Sequence, residues 1–268
     1  MKGIRFVLSG KTACFRKPDV NQYAYFTYNN IHKPALLGLL GAIVGYEGYT
    51  GLHQQKQEIE EKIKKASSKE KKVLRSKLND LQEQFPQFYE KLLHLKVAIK
   101  PLSTNGYFSK KIQVFNNSVG YASFEEGGNL IVREQWLEEP AWQIIIKEDE
   151  SDVYEKVKSY LLDSRAVFIP YLGKNDHPAK ITDVKEVLLS DRRLNSKISS
   201  LFIENKVTLS VHPPRNELSF FFSEYSPMRL QENYHFYEFE KLVFTNYKVE
   251  ESDYEDIYMY ENENFFFL

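Results

Sequence analysis

The sequence predicts an α+β fold built on a βαββαβ core carrying insertions. Three observations point to it. Residues 3–8 alternate, with Ile4, Phe6 and Leu8 on one side, as a half-buried strand does. Residues 35–44, rich in leucine, follow Pro34 and stop at Gly45, the punctuation of a helix. Further strand, strand, helix and strand signals then come in that order, separated by segments of different character.

After the first strand, Ser9, Gly10 and Lys11 break the run, and residues 12–18 leave it as a basic–aromatic stretch with Phe15, Arg16 and Lys17. The helix after Pro34 is apolar nearly all round, which predicts burial, and Gly38 and Gly41 allow another element to come close. From 54 to 84 the pattern changes. Ile59, Ile63, Leu74, Leu78, Leu81 and Phe85 recur every three or four residues among Lys and Glu, with Ser67-Ser68 as a bend, so a charged helical insertion is expected over about 54–92. Residues 96–100 read as a strand. Residues 103–138, with turn signals at Asn116-Asn117, Gly120 and Gly127-Gly128, read as a protruding hairpin. A strand over 142–147, a helix after Asp152, a glycine-containing loop over 171–178 and a strand over 181–189 complete the core, in the ferredoxin-like order once the insertions are removed. Residues 191–268 are expected to form a smaller β-rich part, with strands near 206–211, 217–222 and 241–249.

The 268 residues suffice for a substantial core. One cysteine, Cys14, excludes a disulfide framework and a cysteine-based zinc site. The six histidines are scattered, so no metal and no cofactor is expected. The longest apolar run, residues 36–46, is shorter than the ~20 residues that span a bilayer. No secretory leader opens the chain, and a cytoplasmic protein is expected. The net charge of −1 hides an asymmetry: residues 1–111 hold 20 Lys and Arg against 9 Asp and Glu, the remainder 16 against 28. A basic half suits a polyanion, and 18 Tyr with 19 Phe suit stacking on unpaired bases as well as a core.

Four stretches carry a family resemblance: Ile4-Arg5-Phe6-Val7-Leu8-Ser9-Gly10 with Cys14-Phe15-Arg16; residues 33–43 from Lys33-Pro34 to Ile43; Arg133-Glu134-Gln135-Trp136-Leu137 with Pro140 and Trp142; and Phe168-Ile169-Pro170-Tyr171-Leu172-Gly173 with His177-Pro178-Ala179. In order and spacing they resemble the fifth Cas family, nearest its type I-B members, over about residues 3–190. The resemblance implies an RRM-like fold of the repeat-associated RNA-binding superfamily. It also implies a place at one end of a Cascade complex, holding the repeat-derived 5′ handle of the crRNA. The hairpin over 103–138 would be a thumb, with Asn116, Asn117, Tyr121 and Phe124, pressed into the guide beside the backbone subunit of the seventh Cas family. The large Cascade subunit would dock nearby, and target DNA near the protospacer-adjacent motif would be met indirectly.

Candidate RNA-binding residues follow. Lys11, Arg16 and Lys17 supply charge for phosphate beside the ring of Phe15. Tyr171 and His177 offer stacking, Gly173 close backbone approach and Lys174 a phosphate contact. His32 and Lys33 stand at a helix start, where free N–H groups favour an anion. A solvated basic loop, a plain turn and a plain helix start are the structural alternatives. Some relatives, the type I-C members, cleave crRNA precursors with a Tyr near Tyr46 and an adjacent Lys-His pair. No such doublet follows the helix here, so no catalytic residue is expected. A metal-independent endoribonuclease and a purely protein-bridging assembly subunit remain the rival readings.

Overall fold

Apolar alternation in β1 (Lys2–Ser9) places Ile4, Phe6 and Leu8 on the core side, all fully buried. The computed structural model describes residues 1–19, 22–117, 130–193, 195–215 and 217–268. A short β2 (Thr12–Ala13) follows, then α1 (Lys33–Val44), α2 (Tyr49–Lys65), α3 (Ser68–Glu83) and α4 (Gln87–Leu92). Next come β3 (Val97–Pro101), β4 (Lys110–Asn117), β5 (Leu130–Glu138), β6 (Ala141–Lys147), α5 (Asp152–Leu162) and β7 (Lys180–Leu188). The remainder is β8 (Ser190–Asp191), β9 (Phe202–Ile203), β10 (Thr208–Leu209), β11 (Phe221–Leu230), β12 (Tyr237–Thr245), β13 (Val249–Glu251), β14 (Ile257–Tyr260) and β15 (Glu263–Phe266). The protein is a mixed α/β structure whose paired strands are antiparallel.

The main sheet runs β3-β6-β1-β7. One face packs on α1 and α5 in a single large core with Trp142 at its centre, and the Trp142 indole N–H donates to Asn30 Oδ1 at 2.9 Å. Phe15 and Phe108 meet that indole edge to face, contacts worth about 0.5–1.5 kcal/mol each beyond their burial. The other face, with Ala98, Ile145, Val187 and Leu189, is roofed by Tyr260, Phe265 and Phe267 of the C-terminal β14–β15 hairpin. The interior of this sheet is therefore closed on both sides, and a ligand must be held elsewhere.

The second sheet, β11-β12-β9, contributes Phe202, Leu230, Leu242 and Val243 to the same core as Ile4 and Phe6. It is tied to α4 where the Leu230 N–H donates to the buried Tyr89 hydroxyl at 2.7 Å. β11 lies several residues beyond the expected strand at 217–222 and contains Pro227. The proline is tolerated because β11 is an edge strand and because its register with β12 shifts between Pro227 and Arg229. The strand expected over 206–211 is reduced to two residues, and that expected over 241–249 is split between β12 and β13.

The helical insertion begins at Tyr49, earlier than the periodicity suggests, and breaks at Ala66–Ser67, where Ser67 and Glu70 form a capping box. Helix α5 is capped by Ser151, whose hydroxyl accepts from the Tyr154 N–H; Asp152 is the first helical residue. β4 and β5 pair from Lys110↔Leu137 to Asn117↔Leu130. Asn116 and Asn117 end β4, while Tyr121 and Phe124 lie outside the described residues. No single helix among the described residues is long and apolar enough to cross a membrane.

Candidate nucleic-acid interface

Helix α1 is buried on most of its surface, and only Ala35, Gly38 and Ala42 within it are half-exposed. At spacings of three and four they lie on one stripe. That stripe floors a groove of about 1190 Å³. Arg16, Tyr46, Tyr49, Phe168, Tyr171 and Lys174 stand around it. Three distant parts of the chain thus meet here: the exit from the first strand, the end of α1 with the start of α2, and the 168–174 loop.

Each wall has a local cause. Gly45 ends α1 in the left-handed conformation at φ 81°, and its N–H and that of Tyr46 bond back to Ala42 and Gly41. Val167 and Phe168 then donate their N–H groups to the carbonyls of Ile43 and Ala42, at 2.9 and 3.1 Å. These bonds serve carbonyls at the helix end and fix Phe168 and Tyr171 above the groove. Phe168 is 57 % exposed, Tyr171 46 % and Tyr49 46 %, large rings with about half of their surface open, Tyr49 resting against His235. The exposed Arg16 guanidinium sits over the Tyr25 ring, its central carbon 3.5 Å from the centroid. Lys156 Nζ sits 4.6 Å from the Tyr46 ring.

Several residues singled out from the sequence have other work. Lys174 is held by Glu134 at 2.7 and 2.8 Å, and Glu134, 5 % exposed, also accepts from the Trp136 indole. Lys174 is therefore neutralised within the protein. Its pairing favours the charged form against the cost of burial, and its pKa is raised overall. Lys17 bonds Glu224 at 2.9 Å, so it too has its counter-charge. Gly173 is a close approach to protein rather than to RNA. Its φ is +89°, and a Cβ there would run into the Cys14 carbonyl oxygen. His177 is fully buried, bonded to Thr12 Oγ1 at 2.7 Å and set edge-on against Trp136, so it cannot stack on a base. Burial lowers its pKa.

Phe15 is 2 % exposed, a core ring that meets the groove only at its edge. Lys33 is buried and donates to the main-chain oxygen of Leu268 at 3.1 Å, where burial pushes it down to about 8. It ties down Leu268 and is not among the residues that line the groove. His32 is the N-cap of α1, its Nδ1 accepting from the Ala35 N–H at 3.2 Å. Lys11 is exposed at the β1–β2 turn, away from the groove lining. Of the expected contacts, Arg16 and Tyr171 remain available. Phe168, quoted above only for the family resemblance, and Tyr49, which precedes the expected start of the helical insertion, join them.

Among the described residues no cluster of three or more His, Cys, Asp or Glu forms a metal site. Among the described residues the groove is lined by one cation without an ion pair, Arg16, with several open rings and a floor of small residues. The family model described as CRISPR-associated protein (Cas_Cas5) matches residues 3–254, and the chain belongs to that family. No curated protein matches the sequence. Among solved structures it is similar to a chain titled "CRISPR RNA-guided surveillance complex", at 12 % identity and TM-score 0.48 over 92 % of this chain and 91 % of that one. It is also similar to a CRISPR protein from Archaeoglobus fulgidus, at 11 % identity and TM-score 0.48 over 99 % and 98 %.

His32 generates a pH prediction. Complete burial holds its pKa near 3 in the folded protein, against an ordinary 6.5. As pH falls below 6.5 the unfolded chain takes up a proton that the folded chain refuses, so stability is lost between pH 6.5 and 3. His32→Asn keeps a side-chain oxygen to accept the Ala35 N–H but does not titrate. Urea unfolding at pH 7 and pH 4.5 should show the variant losing about 2 kcal/mol less than the wild type over that interval. Equal losses would mean that His32 is protonated in the native state.

Proposed function

We propose that this chain is a crRNA-binding subunit of a type I, I-B-like CRISPR surveillance complex, gripping the 5′ handle of the guide in the groove along α1. The observation that carries this reading is the convergence of Arg16, Tyr46, Tyr49, Phe168 and Tyr171 on one cleft of about 1190 Å³. Single-stranded RNA presents both phosphates and open base faces, and the cleft offers a cation and rings together. The main sheet, β3-β6-β1-β7, with α1 following β1 and α5 following β6, has the order of a ferredoxin-like, RRM-like core. The β4–β5 ribbon is the thumb of the subunit. Ile112, Val114 and Ile131 are each more than half exposed on it, an apolar strip suited to the neighbouring backbone subunit of the complex. The large subunit docks at the same end, and target DNA is met there.

The groove is richer in rings than in free charge, because Glu134 answers Lys174 and Glu47 joins the lining. Affinity should therefore rest more on stacking than on phosphate. Arg16→Ala should lower the salt slope of binding to single-stranded repeat RNA by about 0.7, the value of one phosphate contact. Tyr171→Ala should weaken binding by about 1–3 kcal/mol, the range of one stacked base, and leave the slope unchanged. Fluorescence anisotropy across 50–300 mM salt reads both. Unchanged affinity in both variants would move the RNA site out of the groove.

The rival reading, a metal-independent endoribonuclease, has Tyr46 in the groove with Lys156 beside it. The subunit is proposed to bind without cutting. Cleavage needs an acid and a base within reach of one phosphodiester. The one imidazole lining the groove among the described residues, His32, has its acceptor nitrogen committed to the Ala35 N–H. Purified protein should leave repeat RNA intact in EDTA. Specific product that disappears in Tyr46→Phe would establish the enzyme instead.

A further inference from the structure

Helices α2 and α3 form an arm that the rest of the fold does not need. α2 leaves α1 at 78°, and none of its residues is buried. Beyond the base of the pair, the half-buried apolar residues are Ile59 and Ile63 on α2 with Leu74, Leu78 and Leu81 on α3, so the two helices are held chiefly by each other. Only the base of α2 borders the groove, through Tyr49 to Gln54. Seventeen helical residues carry the far end about 25 Å from that base.

That far end concentrates positive charge. The break at Ala66–Ser67 sets the last turn of α2, with Lys62, Lys64 and Lys65, beside the first turns of α3, with Lys69, Lys71, Lys72 and Arg75. With Lys77 included, residues 62–77 hold eight cations and one acid, Glu70. Glu70 is occupied in the capping box, accepting from the Ser67 N–H and hydroxyl at 2.9 and 2.7 Å. Seven of the eight cations are exposed, and Lys71 is half-buried. None of them makes an ion pair among the described residues.

Helix stability accounts for the α2 half of this arrangement, where Glu58, Glu60 and Glu61 stand four residues before Lys62, Lys64 and Lys65, but not for the α3 half. Cations suit the C-terminal end of α2, but at the N-terminal end of α3 they oppose the helix dipole. Lys71 and Arg75, four apart, repel one another. Cations that cost α3 something and close no ion pair among the described residues have their counter-charge outside the protein.

We propose that the α2–α3 tip binds the phosphate backbone of double-helical nucleic acid, without reading its sequence. The composition selects a duplex over a single strand. Residues 50–84 contain no Phe, Tyr or Trp. Surfaces that hold single strands supply rings for their open bases, as the groove does, whereas a double helix keeps its bases stacked and presents phosphate. Flexible lysines on two adjoining helix ends suit a regular array of phosphates that carries no side-chain code. The inference stands on the arm alone and does not depend on what occupies the groove.

The test uses the full chain and a variant with Lys64→Gln, Lys65→Gln, Lys69→Gln and Lys72→Gln. All four are exposed, and Gln keeps the helix propensity of Lys, so circular dichroism should be unchanged. The probes are one labelled 20-base-pair sequence as DNA duplex, as RNA duplex and as single-stranded RNA. At 0.1 M salt the variant should bind duplex at least about tenfold more weakly, and its salt slope should fall by about 0.9 for each DNA phosphate that the tip no longer neutralises. Single-stranded binding should be unaltered. Weakening of both duplexes supports backbone recognition of either helix, and weakening of the DNA duplex alone assigns the tip to DNA. The proposal is overturned if the wild type does not bind duplex, if the variant binds it equally well, or if only single-stranded binding falls.

Discussion

Helix α1 carries leucine, isoleucine or valine around most of its circumference, and each such side chain left in water forgoes about 1.5–3 kcal/mol of burial. The rest of the structure answers to that constraint. The first sheet, α4, α5 and the edge strand β11 all pack upon α1. The only stripe left open is the one whose residues are too small to need cover, Ala35, Gly38 and Ala42. The groove is what remains of the helix surface once its large residues have been buried. Because the floor is a rigid helix locked at both ends, by His32 at its start and by Gly45 with residues 167–168 at its finish, the loops that form the walls are held in fixed register.

The charges divide along the same lines. Near the core, cations are matched: Lys17 by Glu224, Lys174 by Glu134, and Lys147 by Asp256. Glu134 bonds both Lys174 and the Trp136 indole, a network in low dielectric that would be costly to break. What is left for a ligand in the groove is Arg16 and a set of rings. The tip of the helical arm, residues 62–77, holds eight cations against one acid, while the rest of α2 and α3 carries more acids than bases. The molecule thus carries two surfaces of different chemistry, one rich in open rings and one rich in cations.

Much of the fold is legible from local pattern. Pro34 and Gly45 mark the ends of α1, Ser67-Ser68 the turn of the arm, and the alternation in residues 3–8 the central strand. The expected mixture of helices and strands is present, in antiparallel sheets. The C-terminal strands are placed less well. Pro227 argues against a strand unless one knows that β11 lies at a sheet edge with a register shift, which is tertiary information. The site is legible by region and illegible by residue. A lysine reads as free until its carboxylate is found, and Glu134 and Glu224 lie 40 and 207 positions from Lys174 and Lys17 along the chain. Gly173 does require close approach, but the Cys14 backbone makes it. His32 is readable as a cap from Pro34 two residues on, a signal that also suits an anion site.

Photocrosslinking in the assembled ribonucleoprotein tests the central claim most directly. Guide RNA substituted with 4-thiouridine in its repeat-derived 5′ segment is irradiated, and the crosslinked peptides of this chain are mapped by mass spectrometry. The account predicts adducts on the groove walls, at Tyr46, Tyr49, Phe168 or Tyr171. Adducts confined to the exposed aromatic face of β11 and β12, at Phe221, Tyr225 or Phe239, or to no peptide of this chain, would contradict it.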